Sequence, residues 1–306
     1  MLLLTFDLSI APGCKPLPAH LGGVLHGYVE GAVKHHAPHL LPVLRPNGDN
    51  RAAHFVILPP PVNQTITCEL RFGVMLFGAA TQVWRQIAQS LLARQAQQIN
   101  RREVRIRAAW LQQPGNPVQA LVADGCPLEA LPRLETPETL YRRLYAAQHP
   151  ERIRRIHTLT FRSPLLLASR KAQRERLPAT GVLHCPTLGA VLDSIARRMI
   201  ELEPGLADTI SLPPGWKTSA SSRAIAALTA AADPAKQVEW EYASTPRNAD
   251  NAANAHRKLR VPGIVGALSY PASDDKLEFA LLYWGQWLGV GQKTTMGCGN
   301  YTLSSS

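Results

Sequence analysis

One stretch of the chain reads Trp287-Leu288-Gly289-Val290-Gly291-Gln292-Lys293-Thr294-Thr295-Met296-Gly297-Cys298-Gly299-Asn300-Tyr301. Gly289, Gly291, Gly297 and Gly299 frame a centre of one cation and two hydroxyls, Lys293, Thr294 and Thr295. Glycine allows positive φ and lets backbone come close to a ligand. Successive exposed amides in such a stretch form an anion nest. With the lysine charge and the threonine donors added, the set suits a sugar–phosphate backbone. Two better-known phosphate loops are excluded. GxxxxGK[ST] is absent, and these glycines follow a helical pattern and precede a strand, the reverse of the dinucleotide fingerprint. The plain alternative is a glycine-rich turn between helix and strand.

A second group is His35, His36 and His39, with Tyr28 seven residues before His35 and nearly on its helical face. Imidazole titrates near neutrality and can act as base or acid. Three close histidines also raise the question of a metal. Pro38 breaks the helix between His35 and His39 and no carboxylate stands beside them, so neither a metal nor another cofactor is expected. Surface imidazoles in a basic patch are the other reading. His20 and His26 rank lower, and His26 faces away from Tyr28. Gly23, Gly27 and Gly31 fall at i, i+4 spacing and would form a ridge for close helix packing.

The charge balance points the same way as the glycine stretch. Lysine and arginine number 33 against 22 acidic residues, a net charge of +11 over 306 residues, with a pI near 9.8. Such a surplus favours a polyanion, because each neutralised phosphate releases a counterion. The candidates are Arg101, Arg102, Arg105 and Arg107, then Arg152, Arg154 and Arg155, then Arg170, Lys171, Arg174 and Arg176, and finally Arg257, Lys258 and Arg260. Trp216 and Trp240 could stack bases, whereas Trp284 and Trp287 read as core. No run approaches the ~20 apolar residues of a membrane span. The opening Met1–Leu8 meets Asp7 early and reads as a strand, not a signal peptide. Five scattered cysteines without CxxC spacing fit neither a zinc site nor a disulfide framework, and suit a reducing cytoplasm.

Positioning these groups requires a scaffold. Residues 2–8 read as a strand, 19–37 as a helix ended by Pro38, 52–58 and 65–77 as strands, 79–99 as a helix, and 103–111 as a strand. In that last strand Val104, Ile106 and Ala108 face inward, with Arg105 and Arg107 outward. Pro127–Pro150 reads as the end of the domain and a linker. A strand pattern restarts at Ile153–Phe161, followed by a helix over 188–202 and a poorly periodic insertion over 205–260 with a helix near 222–232. A strand over 264–270, a helix over 276–288 and a strand over 300–303 close the sequence. Each half is then β-α-β-β-α-β, the ferredoxin-like order. The expected fold is α+β with tandem ferredoxin-like domains, residues 1–150 and 151–306.

The Gly-Val-Gly-x-Lys-Thr-Thr-Met-Gly-x-Gly stretch resembles the glycine-rich loop of CRISPR RNA-processing endoribonucleases of the RAMP superfamily, the sixth family of Cas proteins. Leu159-Thr160-Phe161-Arg162-Ser163-Pro164-Leu165 is similar to that family's strand opening the second domain. Val238-Glu239-Trp240 through Thr245-Pro246-Arg247-Asn248, with Pro262-Gly263-Ile264-Val265-Gly266, is similar to its hairpin region. Phe72–Gly78 is similar to its first-domain strand. The resemblance implies tandem ferredoxin-like domains that bind CRISPR repeat RNA and cut precursor CRISPR RNA into guides without a metal. The 2′-hydroxyl would attack the scissile phosphate, leaving a 2′,3′-cyclic phosphate. It further implies that one of His35, His36 or His39, near Tyr28, assists proton transfer, with Lys or Arg as substitutes. The loop and Arg105, Arg107, Arg247 and Arg257 would hold RNA. Other Cas effector subunits are the further expected partners. The long insertion is akin to a divergent, type IV-like subtype. The rival expectation is a non-catalytic RAMP subunit that binds guide RNA in an effector complex.

Overall fold

The computed structural model describes residues 1–12, 20–44, 54–62, 68–78, 81–93, 97–99, 102–113, 116–123, 156–167, 186–203, 236–243, 258–272 and 276–305, with a few isolated positions between them. Arg247, Arg257, Trp216, the linker Pro127–Pro150 and the helix expected near 222–232 lie outside the described residues.

The first half contains strands β1 (Leu2–Ile10), β2 (Phe55–Leu58), β3 (Glu69–Leu76), β4 (Gln97–Ile99), β5 (Arg102–Gln112) and β6 (Gln119–Ala123). Its helices are α1 (Gly22–His36), the single turn α2 (Leu41–Leu44) and α3 (Thr81–Ala93). The strands form one antiparallel sheet in the order β2-β3-β1-β5-β4, with β6 added beside β5. The second half contains β7 (Ile156–Leu165), α4 (Leu188–Leu202), β8 (Lys236–Ala243), β9 (Lys258–Pro271), α5 (Lys276–Leu288) and β10 (Tyr301–Ser305). Its sheet runs β10-β7-β9-β8, again antiparallel. In both sheets the first strand of the half sits centrally, beside the third and fourth core strands. That is the ferredoxin-like order, reached when two right-handed β-α-β crossovers interleave.

Local sequence explains the main elements. Thr187 caps α4 by accepting a hydrogen bond from the Ala190 amide at 3.2 Å. Leu188, Val191, Leu192, Ile195, Met199 and Leu202 are buried along its inner stripe. In α1, Leu25, Tyr28, Val29, Ala32 and Val33 are buried, and Pro38 follows its last turn. Lys34, His35 and His36 occupy that turn, where positive charge complements the helix dipole.

Several sequence expectations need correction. The span expected as one helix over 79–99 stops at Ala93, and Gln97–Ile99 turn back as β4 against β5. The alternation expected along β5 breaks at Arg107. There a bulge pairs Asp7 with Ala108 and Leu8 with Ile106, so Ala108 joins Trp110 on the opposite face from Val104. The insertion expected over 205–260 contains β8 and the start of β9, so part of it builds the sheet. The glycine ridge is also not as expected. A Cβ on Gly27 would meet nothing within 4 Å, whereas one on Gly22, outside the ridge, would overlap the Met296 carbonyl oxygen.

The two halves share a core. Leu3, Val56, Met75 and Phe77 of the first pack into the cluster built by Leu159, Phe161, Met199, Leu202 and Leu288 of the second. At roughly 1.5–3 kcal/mol per fully buried side chain, these contacts hold the halves together as one body.

Candidate functional site

The glycine-rich stretch begins where α5 ends. The Gly289 amide donates to the Gly285 carbonyl, and the chain then folds back on itself. The Val290 amide bonds the Gly299 carbonyl at 3.0 Å and the Gln292 amide bonds Leu166 at 2.8 Å. The Gly299 amide bonds Pro164 at 2.8 Å, and the Gly291 amide bonds the Ser194 hydroxyl of α4 at 2.9 Å. Gly289, Gly291, Gly297 and Gly299 all have positive φ, between 71° and 83°. A side chain at Gly291 would overlap the Leu166 carbonyl, and one at Gly299 the Val290 carbonyl. The expectation that these glycines open the backbone to a ligand therefore changes. Their Cβ directions face protein, and they let the loop fold tightly.

Less of the loop is accessible than expected, since Thr294 is buried while Lys293, Thr295 and Met296 are half-buried. Thr294–Met296 form one 3-10 turn, entered through Lys293 at φ 57°, ψ 30°. Lys293 is the one non-glycine residue at positive φ among the described residues. Such strain clusters where function over-determines a conformation. Among the described residues the amides of Thr294 and Thr295 have no backbone acceptor. They open the turn beside the Lys293 side chain, an αL–αR arrangement of the kind that makes an anion nest. Burial holds the Lys293 ammonium below its ordinary value, opposed by the neighbouring Cys298. Burial likewise pushes the Cys298 thiol up to about 12, so it stays neutral.

The loop docks on the first half. His20, just before α1, is buried, and its Nε2 lies 2.9 Å from the Met296 carbonyl oxygen and 3.9 Å from Cys298 Sγ. Burial lowers the His20 pKa to about 4, with the Met296 bond opposing, so the ring is neutral at pH 7. Asn300 Nδ2 donates to both Ile57 O and Gly297 O, each at 2.9 Å. On α4, four residues after Ser194, Arg198 Nε donates to the Leu288 carbonyl at 2.9 Å. Burial lowers the Arg198 guanidinium to about 10, and it remains a cation. Sequence reading singled out neither Asn300, Ser194 nor Arg198. The i, i+4 spacing of Ser194 and Arg198 on α4 was the available signal.

The remaining candidates lie apart from the loop. His35, His36 and His39 are exposed at the far end of α1, with the His35 and His36 rings 4.7 Å apart. Fourteen residues separate Gly22 from His36, which at the helical rise is about 20 Å. Tyr28 does not share their exposure. Its ring is buried edge-on against Phe72 at 6.0 Å. His26, ranked low from sequence, is closer to the loop. Its Nε2 lies 3.2 Å from Glu30 Oε1, and its ring stacks on Phe55 at 5.4 Å. Arg105 and Arg107 are exposed on β5, and Arg107 pairs with Glu69 across β1. Arg71 joins them on this face, paired to Asp7 through two hydrogen bonds and lying 5.3 Å over the Trp110 ring. The sequence reading did not name Arg71. Trp284 is buried in the core as expected. Among the described residues no group of three or more His, Cys, Asp or Glu is placed to hold a metal ion. No described helix is long and apolar enough to cross a membrane.

The class defined by the fold is that of tandem ferredoxin-like proteins, here with a glycine-rich loop closing the second unit onto the first. Residues 159–301 match the model of the CRISPR-associated endoribonuclease Cas6 family. That segment is similar to this family of endoribonucleases. The fold likeness extends beyond the matched segment. A solved structure described as a Cas6 product complex superposes with a TM-score of 0.58 at 16% identity, covering 99% of this chain and 100% of that one. Cas6 from Thermus thermophilus gives 0.52 at 17% identity, covering 99% and 98%. A partial Cas6-RT-Cas1–Cas2 complex gives 0.56 at 13% identity, covering this whole chain and 46% of that one. No curated protein matches the chain.

Proposed function

We propose that the protein binds CRISPR repeat RNA and cleaves precursor CRISPR RNA into guide RNAs, without a metal. The 2′-hydroxyl beside the scissile phosphate attacks it, leaving a 2′,3′-cyclic phosphate and a 5′-hydroxyl. The observation carrying this reading is the loop itself. A lysine in a strained αL conformation opens a turn whose first amides have no backbone acceptor among the described residues, at the seam of two ferredoxin-like units. The family match over 159–301 contains that loop.

The groups divide by task. Lys293, Thr294 and the amides at the start of the turn hold phosphate oxygens, with Gly289, Gly291, Gly297 and Gly299 shaping the loop. Arg105 and Arg107 track the RNA backbone along the first sheet, and Arg247 and Arg257 add charge from the second half. The Arg107–Glu69 ion pair is exposed, and such pairs contribute only ~0–1 kcal/mol, so a phosphate can replace the carboxylate at little cost. One of His35, His36 and His39 moves the proton, with Tyr28 beneath them on α1. A single strand runs from loop to histidines along the ~20 Å of α1. The boundary between the two domains, residues 1–150 and 151–306, falls near residues 125–155. The complex of a Cas6 with Cas1 and Cas2 supports other Cas proteins as partners.

The test is a single-turnover assay on labelled repeat RNA in EDTA, with product ends mapped, beside a substrate carrying a 2′-deoxy at the cut. Cleavage in EDTA that stops at the 2′-deoxy substrate is expected. His→Ala at the acting position should slow the cut by ~10²–10⁴-fold with affinity kept. Unchanged rates in all three single variants and the triple variant move the base elsewhere. Binding without any cleavage refutes the nuclease reading in favour of a guide-binding subunit.

A further inference from the structure

The loop is fastened to the first half by side chains that the proposed chemistry does not use. His20 Nε2 meets a carbonyl, Met296 O, so the ring nitrogen is the donor there. Asn300 spends both hydrogens of its amide on carbonyls, one in β2 (Ile57) and one in the loop (Gly297). The Asn300 amide itself donates to Ser163 Oγ at 2.8 Å, and the Asn300 carbonyl accepts from the Arg162 amide at 3.0 Å. Asn300 thereby ties β2, β7 and the loop at one point. The close approach of Gly22 to Met296 O and of Gly297 to Pro59 leaves no slack around it. Both anchors lie at the end of the 3-10 turn. His20 holds its last residue, and Asn300 holds the residue after it.

We infer that His20 and Asn300 are positioning residues, setting the distance between the loop's phosphate-holding turn and α1, and thereby the nucleotide at which RNA is cut. The inference rests on the nuclease reading above. A phosphate gripped by the turn enters α1 at a fixed offset because the turn is hydrogen-bonded to the start of that helix. His20 is neutral and buried, so its part is a directed N–H and not a charge. A misplacement of about 1 Å is enough to cost ~10²-fold in rate.

The experiment compares wild type with His20→Ala, His20→Gln and Asn300→Asp, the last keeping shape while losing both donated hydrogen bonds. Each variant is measured for thermal unfolding, affinity for labelled repeat RNA, single-turnover rate and product-end position. His20→Ala and Asn300→Asp are expected to lose about 10²-fold in rate and to cut at neighbouring nucleotides, with affinity nearly kept. His20→Gln carries an N–H near the reach of Nε2 and cannot exchange a proton near neutrality, so it is expected to restore rate and cut position. Two results overturn the inference. In one, His20→Gln is as slow as His20→Ala, with the cut unmoved, which makes His20 an acid or base. In the other, all variants cut at the wild-type rate and position. Should His20→Ala and Asn300→Asp fail to fold, His20→Phe keeps the ring volume without the donor, and wild-type cleavage by it overturns the inference equally. A wild type that binds but never cuts refutes the nuclease reading alone. The junction is then judged by footprinting: a sharp protected edge that broadens in Asn300→Asp supports it, and an unchanged edge refutes it.

Discussion

The same substitution five residues apart on α1 should have opposite signs. Gly27 is exposed in the helix interior and a Cβ there meets nothing within 4 Å. Gly27→Ala then gains only helix propensity, about 0.8–1 kcal/mol. Gly22 opens the helix under the loop, and a Cβ there overlaps Met296 O and comes within 2.6 Å of His20 Nε2. Relieving that overlap by moving backbone costs ~1–3 kcal/mol. Breaking the His20–Met296 hydrogen bond costs a further ~0.5–1.5 kcal/mol. Gly22→Ala should thus lose roughly 2–4 kcal/mol. In thermal unfolding at neutral pH followed by circular dichroism, Gly27→Ala should melt about 2 °C above wild type and Gly22→Ala roughly 4–10 °C below. A destabilised Gly27→Ala would show that α1 packs through its 23/27/31 glycines after all. A Gly22→Ala protein as stable as wild type would mean that the loop is not seated on α1.

Other outcomes follow from the same geometry. Because His20 drops from 6.5 to about 4 on folding, the unfolded chain takes up the proton first. Stability should be full above pH 6.5 and fall by as much as ~3 kcal/mol between pH 6.5 and 4, and His20→Gln should flatten that slope in pH-dependent denaturant titrations. Gly299→Ala should lose ~2–4 kcal/mol from positive φ and overlap with Val290 O, measured by urea unfolding; wild-type stability would refute the packing described. Tyr28→Ala should cost ~3–5 kcal/mol, as for other buried aromatics, whereas Tyr28→Phe keeps the contact with Phe72. A normal cleavage rate in Tyr28→Phe would leave Tyr28 a packing role only.

The strands β1, β3 and β7 and the apolar stripe of α4 were legible because their apolar runs and spacing lie in the local sequence. The β-α-β-β-α-β order followed from them. The flip at Arg107 was not legible, since a bulge depends on how β5 registers with β1 and leaves no mark in β5 alone. The importance of the Gly289–Gly299 loop was readable, but its orientation was not. Whether a glycine faces ligand or protein is decided by Leu166, Pro59 and Val290, which only tertiary structure brings there. The histidines illustrate the same limit from the other side. Spacing suggested that Tyr28 and His35 share a face, yet the core claims the tyrosine and solvent the histidine. His20 and Asn300 gave no local signal, because their partners are 276 and 243 residues away.

Those separations have a consequence for how the protein is made. Closing a contact across most of the chain must follow synthesis of its distal end, and loop-closure entropy is spent before the contact gives anything back. The first sheet, from β1 to β6, can condense while the rest of the chain is still emerging, since domains generally fold as units during synthesis. The glycine-rich turn cannot, because Met296 and Asn300 close on His20 and Ile57 only when both sheets stand. The glycine-rich turn is therefore seated last, and an unfinished chain has the basic sheet face without the clasp proposed above to set where RNA is cut.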